Sequence, residues 1–261
     1  MAERVSYEVV EGIARIRLER PEKLNALDAA MWRDLLAAVG RLKSDSGVRV
    51  ALLCASGRAF SAGADLNETA WRDETQAQTR RRIERNQQDL AREMVRAPVP
   101  IVAAVNGYAL GGGVEIALAA DRRIAGDDAG FGFPETAIGR FVTGAASLLL
   151  PRAVGLAWAK RMILTGERIG ADRALAIGLV EEVVPAIELE TRAMALCRAI
   201  ARNAPLSVQL AKRSLNRVNL GELETALALE TDGLMQTYAT DENEAGVAAF
   251  AGRERAEFEG G

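Results

Sequence analysis

The apolar positions of the chain follow two periods in turn. Ala14, Ile16 and Leu18 alternate with Arg15 and Arg17, the period-two pattern of a strand with one face buried, and Val9-Val10-Glu11-Gly12-Ile13 ahead of them reads as a hairpin turn. Pro21 stops that strand. Asp28 is placed to cap a helix on which Met31, Leu35, Leu36, Val39 and Leu42 recur at helical spacing. Val48 to Cys54 and Val99 to Val105 are apolar runs that predict buried strands. A loop of small residues, Ser56 to Asp65, follows the first run, and a charged helical stretch then spans about Trp71 to Arg96. A glycine-rich turn, Gly107 to Gly113, follows the second run and leads into a helix over Val114 to Ala120. Arg122 to Ala125 and Gly130 to Phe133 read as short strands. Beyond Pro134 the pattern is mostly helical, with segments near 148–154, 156–164, 171–177, 188–203, 206–215, 222–238 and 242–251. Strands alternating with helices predict an α/β core of βαβ units, followed by a helical region from about residue 200.

Composition narrows the chemistry. The 261 residues, 49% hydrophobic and 26% charged, suit one or two ordinary globular domains. A net charge of −3 lacks the basic excess of a broad nucleic-acid surface. There is no histidine, which removes Ser-His-Asp and Cys-His catalysis and the commonest transition-metal ligand. Carboxylates and backbone groups are left to carry the chemistry, with no metal expected. Cys54 and Cys197 lie far apart with no CxxC spacing, and read as reduced, buried thiols of a cytoplasmic protein. The charged stretch Met1 to Glu11 does not read as a signal peptide. The most apolar stretch, Val99 to Ala120, contains Asn106, a run of glycines and Glu115, so it predicts a buried strand–turn–helix and no membrane span.

Three segments are candidates for function. Gly57-Arg58-Ala59-Phe60-Ser61-Ala62-Gly63-Ala64-Asp65-Leu66 follows a buried strand. Its small residues would let backbone approach a ligand closely, although a plain surface loop has the same look. Asn106-Gly107-Tyr108-Ala109-Leu110-Gly111-Gly112-Gly113-Val114-Glu115 places three glycines between a strand and a helix. That suits backbone N–H groups aimed at an anion at a helix N-terminus, or close strand–helix packing. It is neither a phosphate loop, since no Gly-Lys-Ser/Thr follows, nor a dinucleotide fingerprint, since the glycine spacing fails. Phe131-Gly132-Phe133-Pro134-Glu135 ends in a carboxylate behind an aromatic strand and a proline. It reads either as a desolvated acid–base group or as an exposed turn residue. Glu115 by itself could simply complement a helix dipole.

Together these segments resemble the enoyl-CoA hydratase/isomerase, or crotonase, family. The likeness begins at Arg20-Pro21-Glu22-Lys23-Leu24-Asn25-Ala26-Leu27, runs through the three loops, and continues through Leu164-Thr165-Gly166 and Ala174-Leu175-Ala176-Ile177-Gly178-Leu179-Val180 to Phe250-Ala251-Gly252-Arg253. The resemblance implies a crotonase-like spiral of ββα units over residues 1–199 and a helical oligomerisation region over 200–261, assembled as a homotrimer or a dimer of trimers. It implies an acyl-CoA substrate, with coenzyme A as part of that substrate and no separate cofactor.

The site residues follow from the same likeness. The N–H groups of Ala64 and Gly112 match the oxyanion pair that holds the thioester oxygen. Glu135 matches the main acid–base group and Glu115 the partner that orients water. Lys23, Ala26, Ala62, Asp65, Leu66 and Gly111 match positions along the CoA and acyl site. Isomerases of the family often keep only the carboxylate at the Glu135 position, so the presence of Glu115 favours hydration of 2-enoyl-CoA. The chain departs from the usual pattern at Phe141-Val142-Thr143, where typical hydratases have a proline-containing step. Phe141, Val142 and Thr143 are therefore expected to shape the acyl pocket in their own way. The tail at 253–258 also lacks the usual proline.

Overall fold

The computed structural model describes residues 4–68, 73–252, 254, 256 and 258. Strands β1 (Val5–Val10) and β2 (Ile13–Leu18) form the expected hairpin, turning on Glu11 and Gly12, both with positive φ, as a two-residue hairpin loop requires. Helix α1 (Ala29–Arg41) starts at the expected cap: the Asp28 carboxylate accepts from the Met31 N–H at 2.8 Å. Met31, Trp32, Leu35 and Val39 are buried along its inner face.

Three ββα turns follow. The first comprises β3 (Val50–Ala55), β4 (Ala59–Ser61) and helices α2 (Gln76–Ile83) and α3 (Asp89–Arg96), which are joined by a π-helical turn over Glu84–Gln88. The expected start of this helical stretch, near residue 71, lies outside the described residues. The second turn comprises β5 (Ile101–Val105), β6 (Tyr108–Leu110) and α4 (Gly112–Ala119). The third comprises β7 (Arg122–Gly126), β8 (Gly130–Gly132) and α5 (Ala146–Thr165). In each turn the first strand joins a six-stranded sheet of order β1-β2-β3-β5-β7-β10. The second strand joins a four-stranded sheet of order β4-β6-β8-β9, where β9 is Arg168–Gly170 and β10 is Glu182–Val184. Within the turns all pairings between successive units are parallel. This is the expected spiral of ββα units.

The apolar runs of β3 and β5 have a simple cause. Parallel strands are covered on both faces and so lose the alternation of a one-sided sheet. Ala51, Leu53, Ile101, Ala103 and Val105 face the main core, which α1, α3 and α4 also fill. Val50, Leu52, Cys54, Val102 and Ala104 face a second, smaller core under α7 (Leu189–Ala201), where Ala193, Met194 and Cys197 meet them. Cys54 and Cys197 are thus both buried and free, and burial pushes each thiol up to about 12.

Several elements differ from expectation. β4 and β6 lie inside segments read as loop and turn, and β9 and β10 had no counterpart in the pattern. The expected break between 148–154 and 156–164 is present: α5 is two helical runs divided at Gly155, whose φ is 77°. After helix α6 (Ala171–Ala176) and α7 come α8 (Pro205–Asn219), α9 (Leu223–Tyr238) and α10 (Asp241–Ala251). Leu223 and Leu227 belong to the main core and Leu234 is buried too. These leucines are therefore covered within the chain. Other apolar side chains of this region stay exposed, among them Leu206, Leu215 and Val218 on α8 and Leu229 on α9. The α8 helix is tied to the spiral by the buried Lys212, whose ammonium donates to the carbonyls of Met94 and Val99 and pairs with Asp121 at 2.7 Å. Among the described residues no helix is long and apolar enough to cross a membrane.

Candidate active site

The loop after β2 is fastened to the β3–β4 turn, to β4 and to the loop after β4 by buried polar side chains. Asn25 is fully buried. Its Nδ2 donates to the carbonyls of Ser56 and Ala59, both at 2.8 Å, and its Oδ1 accepts from the Arg20 N–H at 2.7 Å. The Arg20 guanidinium donates to Asp65 at 2.6 Å and to the carbonyl of Ala26 at 2.9 Å. Burial opposes ionisation of Asp65, but the Arg20 guanidinium and the Asn67 N–H hold its carboxyl below the usual range. These contacts bring Lys23 and Ala26 alongside Ala62 to Leu66.

A short parallel bridge aims one amide outward. Gly63 C=O and Asp65 N–H bond the main chain of Leu27 at 2.8 and 3.2 Å. The Ala64 N–H between them therefore faces the opposite way, as successive peptide groups on a strand do. Gly63 has a φ of 84°, and a Cβ there would lie 2.6 Å from the carbonyl oxygen of Leu110 and 3.4 Å from the amide nitrogen of Gly112. Only glycine lets the two loops meet this closely. Gly112 opens α4, and the helical ladder begins with Glu115 N–H on Gly111 C=O at 3.0 Å, so the Gly112 N–H is one of the open donors of a helix N-terminus. Neither the Ala64 nor the Gly112 N–H meets an acceptor among the described residues. The same glycines also serve close packing, since a Cβ on Gly113 would lie 2.5 Å from the carbonyl oxygen of Ser61.

Two carboxyl groups share this place and differ in their surroundings. Glu115, on the first turn of α4, is 4% exposed. Thr143 donates its N–H to Oε1 and its hydroxyl to Oε2, each at 2.7 Å. Glu135 follows β8 and Pro134. Its Oε2 is buried with no hydrogen-bond partner among the described residues, and its Oε1 occupies the space beside Gly111 that a Cβ would fill. Burial raises the pKa of both carboxyls. The donors of Thr143 oppose the rise at Glu115. At Glu135 the charge of Glu115 adds to the burial, and the opposing pull of Arg140 does not prevent a value well above the usual range. Of the two, Glu115 is the group favoured as carboxylate and Glu135 the one favoured as acid.

One cavity of about 280 Å³ is lined by all but one of the residues expected from the sequence: Lys23, Ala26, Ala62, Ala64, Asp65 and Leu66 from the first two loops, Gly111, Gly112 and Glu115 from the second turn, and Glu135, Phe141 and Thr143 from the third. Val142 is the exception in its segment. It is 1% exposed, packs in the main core and does not line the cavity. Thr143 lines it, but both its donors are committed to Glu115. Trp32, Gln87, Arg140, Leu234, Tyr238 and Phe250 also line the cavity. Arg140 directly precedes Phe141, and Phe250 lies in the segment matched to the family; the other four carry no local mark, because they arrive from α1, the π-helical turn and α9. The buried oxygen Oε1 of Gln87 has no partner among the described residues. A larger groove, about 550 Å³, lies between α3 and α8. Its one lining acid, Glu224, is occupied by Arg92 and Arg96, so it offers no comparable acid–base pair.

The profile of the enoyl-CoA hydratase/isomerase family matches residues 8–261. The short-chain-enoyl-CoA hydratase of Clostridium acetobutylicum is 35% identical, with 94% of this chain and 93% of that protein covered. The crotonyl-CoA hydratase of Syntrophomonas wolfei is 33% identical, with 98% of each covered. Among solved structures, an enoyl-CoA hydratase from Mycobacterium avium subsp. paratuberculosis superposes with a TM-score of 0.88 at 32% identity, over 98% of this chain and 99% of that one.

Proposed function

Because the chain belongs to the enoyl-CoA hydratase/isomerase family, we propose that it hydrates 2-enoyl-CoA thioesters to 3-hydroxyacyl-CoA with Glu115 and Glu135 as its acid–base pair. The observation that carries this reading is the pairing itself. Two buried carboxyls, both with raised pKa and Glu135 the more strongly, line one cavity with two backbone N–H groups that meet no acceptor among the described residues.

In this reading the thioester oxygen sits between the N–H groups of Ala64 and Gly112. Negative charge develops there as water attacks, and the N-terminal dipole of α4 adds to the stabilisation. The water oxygen bonds to C3 while the C2=C3 electron pair moves toward the thioester oxygen. Glu115, held as carboxylate by Thr143, orients the water and takes one of its protons. Glu135, held as acid, gives its proton to C2. Proton transfer from Glu115 to Glu135 then restores the starting pair, so one water is added with no net proton change. Lys23, Ala26, Ala62, Asp65 and Leu66 would line the path of the coenzyme A and acyl portions. The chemistry requires no cofactor beyond the coenzyme A of the substrate.

The same reading includes a homotrimer or dimer of trimers in the cytoplasm. The apolar side chains of α8, exposed in the single chain, and the two free thiols support it. A stable monomer by light scattering at micromolar concentration contradicts the assembly.

The activity is tested with a panel of 2-enoyl- and 3-enoyl-CoA thioesters, following the conjugated thioester absorbance. Hydration predicts loss of absorbance with 2-enoyl-CoA. Appearance of absorbance from 3-enoyl-CoA, with 2-enoyl-CoA left unhydrated, assigns isomerisation instead.

A further inference from the structure

We propose that Glu230 is a positioning residue for this site, acting through the turn that carries Thr143. The inference rests on the hydratase reading for its kinetic test. Its structural basis is the hydrogen bonding of the turn, which is the same whichever reaction the site performs.

Glu230 lies on α9, more than eighty residues beyond the turn it holds, and is fully buried. Its carboxylate accepts three hydrogen bonds, all from one short segment: the Ala145 N–H at 2.8 Å on Oε2, and the Ser147 N–H at 2.8 Å and hydroxyl at 2.6 Å on Oε1. That segment has no cap of its own. Ala145 precedes α5 as its cap residue, has no side-chain acceptor to offer, and sits at a φ of 64°, which a residue with a Cβ seldom adopts. Gly144 before it is left-handed too, at 60°. The turn is closed by the Ala146 N–H on the Thr143 carbonyl at 2.9 Å, so Glu230 grips the amides on either side of that closing bond. An acceptor of negative charge at a helix N-terminus supplies what the sequence of the turn lacks.

The turn matters because Thr143 is its first residue. Both oxygens of Glu115 are held by Thr143 alone among the described residues, one through the main chain and one through the side chain. Rotation of this turn would therefore move both donors together and leave Glu115 buried without partners. Burial, with a further contribution from the Glu115 charge, pushes the Glu230 carboxyl up to about 7. A neutral side chain used only for packing would avoid that cost.

The test is a double-mutant cycle with Glu230→Gln and Thr143→Val, alone and together, measured as kcat and KM for 2-butenoyl-CoA. Gln keeps one acceptor oxygen and replaces the other with a donor that faces an N–H. Misplacing a reacting group by about an ångström costs on the order of 100-fold in rate. We expect Glu230→Gln to lower kcat by about 10- to 100-fold with KM changed less than about threefold. The double variant should be no slower than the slower single variant, because both changes act on one contact. Wild-type kcat in Glu230→Gln, or losses that multiply, overturns the proposal. If Glu230→Gln does not fold, Ser147→Ala removes one of the three donors without touching α9, and the same cycle with Thr143→Val applies. If the wild type turns over no enoyl-CoA, amide hydrogen exchange decides. Faster exchange over residues 142–147 in Glu230→Gln than in wild type supports the positioning role, and unchanged exchange there overturns it.

Discussion

Oε1 of Glu135 fills the space that a side chain on Gly111 would need, and Gly111 itself holds a φ of 50° that glycine adopts freely. The carboxyl and the turn are therefore fitted to one another. Gly111→Ala places a Cβ against that oxygen and strains the backbone, for roughly 1–3 kcal/mol of stability. The oxygen must move, so turnover should fall by about 100-fold even where the protein stays folded. Chemical denaturation and kcat on the same sample check both effects. A variant with wild-type kcat removes the steric link between this glycine and catalysis.

The pKa shift of Glu135 has a consequence for stability. Its folded pKa lies well above the ordinary carboxylate value of 4.5, because of burial and then the charge of Glu115. The folded protein therefore binds more protons than the unfolded chain between that value and the raised one. Stability from this group falls as pH rises through the window, and its full cost is present above it. Glu135→Gln removes the cost. The variant should melt at a higher temperature than wild type at pH 7 to 8, with the advantage shrinking toward pH 4.5. Equal melting temperatures across that range would mean Glu135 is not strained by burial.

The oxyanion reading depends on backbone, so side-chain changes should matter less than loss of an N–H. Ala64→Ser should be tolerated, and Ala64→Pro, which removes the donor, should lose about 100- to 1,000-fold in rate. A backbone ester in place of the Gly112 amide makes the same deletion with no added atoms, and the same loss is expected. Near-wild-type turnover in the ester variant contradicts this use of Gly112.

Acyl selectivity should be governed by Phe141 and Gln87, which line the cavity beside Glu115 and Thr143. Loss of an apolar contact changes discrimination by about 1–3 kcal/mol, so Phe141→Ala should shift kcat/KM among acyl chains by that amount. Gln87→Leu replaces a buried oxygen that has no partner among the described residues with an apolar group of similar size. It should improve kcat/KM for unsubstituted chains over chains bearing a hydroxyl. Chain profiles that match wild type in both variants exclude these residues from acyl selection.

What was legible in the sequence was what local pattern encodes. The cap at Asp28, the hairpin at Glu11-Gly12 and the buried strands around Leu53 and Ala103 follow from period, turn residues and apolar runs. The candidate residues were legible through the family likeness, and the fold brings all of them but Val142 to one cavity. β4 and β6 escaped because strands of three residues are too short to carry an alternation. Val142 was misplaced because adjacent residues in an irregular turn can face opposite ways: it enters the core while Thr143 meets Glu115. Glu230 gave no signal at all. Its partners lie more than eighty residues away, and a glutamate on a charged helix reads as solvent-facing until the packing is known.

The central claim is that both glutamates act in one hydration step, and the rate of loss of 2-enoyl-CoA absorbance tests it most directly. Gln is nearly isosteric with Glu but cannot exchange a proton near neutral pH. Glu115→Gln and Glu135→Gln should fold, bind acyl-CoA, and each lose about 100- to 10,000-fold in rate. Their losses should not multiply in the double variant, because both groups serve the same water and substrate. A wild type that hydrates 2-enoyl-CoA beside a fully active Glu115→Gln contradicts the two-carboxylate mechanism.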